Sequence, residues 1–151
     1  MRFFKGEFMK LKIINKSKHP LPKYETEGSS GMDLRANLDE DLVLKSLDRV
    51  LVPTGLFLEF DKGYEAQVRA RSGLALKKGL GLPNGIGTID SDYRGELQVI
   101  LINMSKDEVV IKDGERIAQI VFMKIETPEI VEVEEISETE RSDGGFGHTG
   151  L

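Results

Sequence analysis

Between Leu42 and Ile136, apolar residues fall in short runs or at alternate positions, broken repeatedly by turn residues. A break roughly every ten residues is how an all-β sandwich or barrel reads. The runs predict strands at Leu42–Leu44, Arg49–Val52, Leu56–Phe60, Tyr64–Ala70, Glu96–Asn103, Val109–Ile111, Ile117–Glu126 and Ile130–Val133. Pro53-Thr54-Gly55, Asp61-Lys62-Gly63, Pro83-Asn84-Gly85 and Asp113-Gly114 punctuate them. One short helix is expected over Ser72–Lys78, with Ser72 as N-cap and Gly79 in the C-terminal cap position. The run from Ile117 to Met123 is apolar on both strand faces, which calls for cover on both sides, a subunit contact being one source. Past Ile136 the chain turns polar and glycine-rich. The expected organisation is one β domain over 1–136, with 1–8 as a candidate extension, and a mobile tail over 137–151.

Composition narrows the class without changing this picture. A chain of 151 residues, 39% hydrophobic and 31% charged, suits a single globular domain. Lysines and glutamate interrupt the apolar runs of the N-terminus, so no signal-peptide core is expected there, and no stretch is long enough to span a bilayer. Cysteine is absent, which excludes disulfides, thiolate metal sites and cysteine nucleophiles and agrees with a cytoplasmic protein. A net charge of −5 without a basic stripe argues against nucleic acid as a partner. A small polyanion can still bind where arginines converge or a divalent cation bridges the charges.

Three stretches offer chemistry. In GTIDSDYRGE, Asp90 and Asp92 would face one way if the segment is extended, as for a metal or a base; an aspartate-rich turn is the plainer reading. Tyr93 adds a flat ring, and the preceding PNGIG allows close backbone approach. ARSGLA sets Arg71 and Ser72 at the start of the expected helix, either an anion site or a simple cap. GGFG near the C-terminus reads as a disordered tail or as a flap, with Phe146 stacking on a base and Arg141 pairing with phosphate. His19 and His148 lack partners at metal-ligand spacing, whereas Asp33, Asp90 and Asp92 are hard oxygen donors suited to Mg²⁺.

SGMDLRA, ARSGLA, GTIDSDYRGE, GERIAQ and GGFGHTG occur in this order, preceded by LPKYETEG. Together they resemble the motifs of the trimeric dUTPases over about residues 21–150. The resemblance implies an all-β jelly-roll (β-clip) sandwich with one short helix, assembled as a homotrimer. Active sites would lie between subunits, each closed by the C-terminal tail of another chain. The reaction implied is hydrolysis of dUTP to dUMP and pyrophosphate, which would keep uracil out of DNA and supply dUMP for dTMP synthesis.

Carried over by position, Asp90 would orient and deprotonate the attacking water and bind the sugar 3′-hydroxyl, with Tyr93 beneath the deoxyribose. Asn84 and the backbone of Gly87, Thr88 and Ile89 would hold the uracil edge. Arg71, Ser72, Gly73 and Gln119 would hold the phosphates, Asp33 would hold Mg²⁺ through a water, and Arg141 and Phe146 would cap the γ-phosphate and base. Gln98 could also reach the site. Two rivals share the fold. A dCTP deaminase would need a glutamate where Ile100 stands and tends to carry a second serine where Gly73 stands. A catalytically silent trimer would be expected to have lost Asp90, Tyr93, Arg141 or Phe146, all of which are present.

Overall fold

Alternating buried and half-buried positions make strands, and a computed structural model shows how they pair. It describes residues 8–146; residues 1–7 and 147–151, which include His148 and the end of the expected tail, lie outside. The elements run β1 (Lys12–Asn15), β2 (Met32–Arg35), β3 (Leu42–Leu44), β4 (Arg49–Glu59), β5 (Tyr64–Arg69), α1 (Ser72–Lys78), β6 (Leu80–Gly81), β7 (Gly87–Ile89), β8 (Glu96–Asn103), β9 (Val109–Ile111) and β10 (Arg116–Lys124). One sheet has the order β1-β4-β8-β6, a second the order β2-β10-β5-β7, and β3 pairs with β9 in a small ribbon. All pairings are antiparallel.

The inward residues of the two large sheets meet in one core. Met32, Leu34, Ala66, Val68 and Ile120 come from one sheet and Val52, Leu58, Leu97, Val99 and Leu101 from the other. Burying such side chains contributes about 1.5–3 kcal/mol each, the main term holding the sheets together. Among the described residues no helix is long and apolar enough to cross a membrane.

Several expectations change. Arg49–Val52 and Leu56–Phe60 are one strand, because Pro53-Thr54-Gly55 forms a bulge instead of a turn. The buried Thr54 hydroxyl donates to Leu97 O at 2.5 Å and Gly55 N donates to Glu96 Oε1 at 2.8 Å, replacing the ladder bonds the bulge interrupts. The segment around Ile130–Val133 is not a strand. Ile130, Val131, Val133 and Ile136 are exposed, and the segment joins none of the sheets among the described residues. The helix has the expected span, but Arg71, not Ser72, is its N-cap, in extended conformation and with no side-chain cap bond. Gly79 closes it in the left-handed region at φ 66°. The two-sided apolar run is largely covered within one chain: Ile117, Ala118, Ile120 and Val121 are buried, and Phe122 meets Phe60 edge-on at 5.3 Å.

Candidate active site

The second sheet carries most of the candidate residues, divided between two places. On its outer face Asp33 stands opposite Gln119 across the β2–β10 pair. A register shift between Arg116 and Ala118 turns Arg116 onto that face as well, although plain alternation would point it away from Gln119. The Asp33 carboxylate is therefore flanked twice, by Arg71 Nε at 2.9 Å and by Arg116 Nη1 at 3.2 Å. Arg71 Nη1 also donates to Arg116 O at 3.1 Å, and Gln119 Nε2 donates to Ala70 O at 3.0 Å. These bonds hold two guanidinium groups and one amide around the start of α1. Ser72 and Gly73 are exposed there, and a Cβ on Gly73 would meet nothing within 4 Å, so the chain's own packing does not demand a glycine.

Next to this cluster a cavity of about 190 Å³ is lined in part by His19, Leu21, Lys23, Asp33, Arg35 and Arg116. His19 Nε2 pairs with Asp113 Oδ1 at 2.8 Å, tying the 17–23 loop to the turn before β10. Asp113 Oδ1 also accepts the Leu38 N–H at 2.8 Å. That N–H and then the His19 ring hold the Asp113 carboxyl below the usual aspartate range.

The second place is built by the short β7 and the turns on either side of it. Leu82–Gly85 is closed by Gly85 N donating to Leu82 O at 3.0 Å, and Asp90–Tyr93 by Tyr93 N donating to Asp90 O at 3.1 Å. Asp90 and Asp92 thus sit in a turn, not in an extended segment. Asp90 lines a cavity of about 310 Å³ together with Asn84, Gly87, Thr88, Ile89, Tyr93 and Gln98, and Asp92 is not part of that lining. β7 is an edge strand, so its outer backbone N–H and C=O groups have no strand partner among the described residues. An unpaired edge beside a cavity can read the donors and acceptors of a flat ring. The Asn84 amide nitrogen lies 3.6 Å from where a Gly87 Cβ would stand, beside the same edge.

Leu51, Val68, Leu82, Glu96 and Ile100 complete the cavity lining; of these only Glu96 falls within a motif, at the end of GTIDSDYRGE, and the sequence assigns it no role. Leu51 and Ile100 are paired across β4 and β8, which makes them one apolar wall. The lining holds two carboxylates, Asp90 and Glu96, and neither lysine nor arginine. It therefore suits a neutral group and cannot neutralise a polyphosphate by itself. The arginine cluster has the opposite character, and β2 stands three strand spacings, about 14 Å, from β7. Arg141 is tied within its own turn, Nε to Gly144 O at 2.8 Å, and Phe146 is fully exposed. A single chain thus does not gather the candidate residues into one cavity.

No group of three or more His, Cys, Asp or Glu that could hold a metal ion occurs among the described residues. Asp33 is a hard oxygen donor of the kind Mg²⁺ takes, and each of its oxygens faces a guanidinium group of Arg71 or Arg116.

The dUTPase family profile matches residues 17–150. The chain is similar to a deoxyuridine 5'-triphosphate nucleotidohydrolase of Finegoldia magna, 56% identical over 142 residues, covering 94% of this chain and 99% of the relative. One from Fusobacterium nucleatum is 57% identical, covering 94% and 97%. Among solved structures, a Staphylococcus bacteriophage 80alpha dUTPase with dUPNHPP superposes with a TM-score of 0.81 at 27% identity, covering 94% of this chain and 99% of that one. An edge-strand cavity beside Asp90 and Tyr93, an arginine cluster at the start of a short helix and a match over nearly the whole length agree: the chain belongs to the dUTPase family.

Proposed function

We propose that the chain hydrolyses dUTP to dUMP and pyrophosphate, at sites shared between the subunits of a homotrimer in the cytoplasm. The observation that carries the chemistry is the cavity in which Asp90 and Tyr93 stand beside the free edge of β7. Uracil lies against Asn84 and the backbone of Gly87, Thr88 and Ile89, whose donors and acceptors match its edge and mismatch that of cytosine. A site built to hydrogen-bond one ring rejects its mismatched analogue by roughly 10⁴-fold or more. Tyr93 packs beneath the deoxyribose and leaves no room for a 2′-hydroxyl. Asp90 accepts hydrogen bonds from the 3′-hydroxyl and from the water that attacks the α-phosphorus, so it both aims the nucleophile and takes its proton.

Because the cavity lining has no cation, the triphosphate is bound by Arg71, Ser72, Gly73 and Gln119 of a second copy. The tail of a third copy brings Arg141 and Phe146 over the γ-phosphate and the base. Asp33 would hold Mg²⁺ through a water, and the ion would supply charge neutralisation for the departing pyrophosphate. The arginine cluster shares that role from the protein side. The products imply a function in nucleotide supply, removing a precursor of uracil in DNA and providing dUMP for dTMP synthesis.

Deamination of dCTP requires a base at the ring, and Ile100 supplies none where that group would stand; the Glu96 Oε1 is engaged by Gly55 N. Pyrophosphate and ammonia release from dUTP, dCTP, dTTP and UTP, each in Mg²⁺, test the reading. Turnover confined to dUTP without ammonia is expected. Ammonia from dCTP, or no turnover at all, overturns it.

A further inference from the structure

Gly95 follows Tyr93 by two residues, and nothing in its backbone explains a glycine. The glycines with positive φ among the described residues are Gly55, Gly63, Gly79, Gly85 and Gly114; Gly95 is not one of them, so an L side chain is tolerated by its dihedral angles. What a side chain would meet is the neighbour, the end of the half-exposed Tyr93 ring. A Cβ built on Gly95 would fall 2.5 Å from Tyr93 Cζ and 2.9 Å from Cε2, and would also collide with the hydroxyl. The tyrosine ring folds back across the Gly95 backbone and is pinned there by its hydroxyl, which donates to Glu96 O at 3.1 Å.

We infer that Gly95 is the positioning residue for Tyr93: the missing side chain is the seat on which the ring lies, and the seat sets where the ring meets the sugar. The inference rests on the reading of Tyr93 as the floor beneath the deoxyribose. The supporting structure continues below the ring. Glu96, whose carbonyl receives the tyrosine hydroxyl, is fixed in turn by its side chain on the Gly55 N–H, and Leu97 O receives the buried Thr54 hydroxyl. The ring therefore rests on a strand start anchored to the β4 bulge, while it remains half exposed toward the cavity that holds Asp90. A methyl at position 95 cannot be absorbed by the anchored backbone, so the ring has to move. Its displacement opens the space that a 2′-hydroxyl would need.

The test is a double-mutant cycle of Gly95→Ala and Tyr93→Ala on the full chain, read as the dUTP-to-UTP ratio of kcat/KM and as melting temperature. Gly95→Ala alone is expected to lower the ratio by about tenfold or more, as one displaced contact at the sugar would. It should also lower the melting temperature. In the Tyr93→Ala background, adding Gly95→Ala should change neither quantity, because the ring that the new methyl displaces is gone. Costs that add, a selective Gly95→Ala enzyme beside an unselective Tyr93→Ala one, or failure of both Gly95→Ala proteins to fold would each overturn the inference. A Tyr93→Ala enzyme that keeps its preference for dUTP removes the sugar reading itself; the melting temperatures then decide separately whether the ring sits on Gly95.

Discussion

At Asp90 the proposal is most exposed to test, because one oxygen-to-nitrogen replacement removes the base and keeps the shape. Asp90→Asn should leave nucleotide affinity within a few-fold and lower kcat by roughly 10²–10⁴, the usual contribution of a positioned general base. Isothermal titration with a non-hydrolysable analogue, set beside steady-state kinetics, separates the two; unchanged turnover would take the base role from Asp90. A second residue links pH to stability without touching the chemistry. Asp113 is held below the usual aspartate range by the Leu38 N–H and the His19 ring, so its contribution needs the ionised carboxylate. A lowered folded value means the contribution is fully present above the unfolded pKa, roughly 3.9, and is lost as pH falls through the folded value. The melting-temperature gap between the native chain and Asp113→Asn should thus be flat from neutral pH to about 5 and close on further acidification. A gap unchanged at low pH would show that charge is not what the His19 and Leu38 contacts use.

At the scale of elements, what the sequence discloses depends on how regular each strand is. β3, β8, β9 and α1 lie where alternation and the turn residues put them, since nothing interrupts their periodicity. The turn residues Pro53-Thr54-Gly55 divide β4 in two on sequence alone, because the bonds that carry a strand through a bulge come from Thr54 and Glu96 and have no sequence signature. The bulge at the start of β10 hides Arg116 in the same way, although GERIAQ stands out as a motif; its pairing with Asp33 depends on a register shift. β7 is three residues long and starts on glycine, too short to show a period, yet its free edge is what makes the cavity useful. Most of the candidate site residues thus stand in motifs, and their division between two places is not legible there. The β4–β8 pair carries the Leu51–Ile100 wall of the cavity, and Leu101, 1% exposed, lies beside it in the core. Leu101→Ala should cost about 2–5 kcal/mol, read from urea melts at fixed chain concentration. A smaller loss would mean that the two sheets close around the gap.

For the whole molecule, the decisive fact is electrostatic: the cavity beside Asp90 and Tyr93 has carboxylates and no cation in its lining, while the arginines gather elsewhere on the same chain. If a site draws its β7 cavity from one copy and its arginines from another, two crippled chains can repair each other. Asp90→Asn spoils the cavity and leaves the arginines; Arg71→Gln spoils the arginines and leaves the cavity. Refolding the two variants together in equal amounts should give oligomers in which about a quarter of the sites pair an intact cavity with an intact cluster. Activity should rise toward that fraction of the native value and far above the sum of the separate parents. Sedimentation of the mixture should show a species at three times the chain mass. Were every site built within one chain, each chain would carry one defect and mixing would restore nothing. That result would mean the roughly 14 Å between β2 and β7 is spanned by a single extended nucleotide, with the triphosphate lying across β10 and β5 on one sheet.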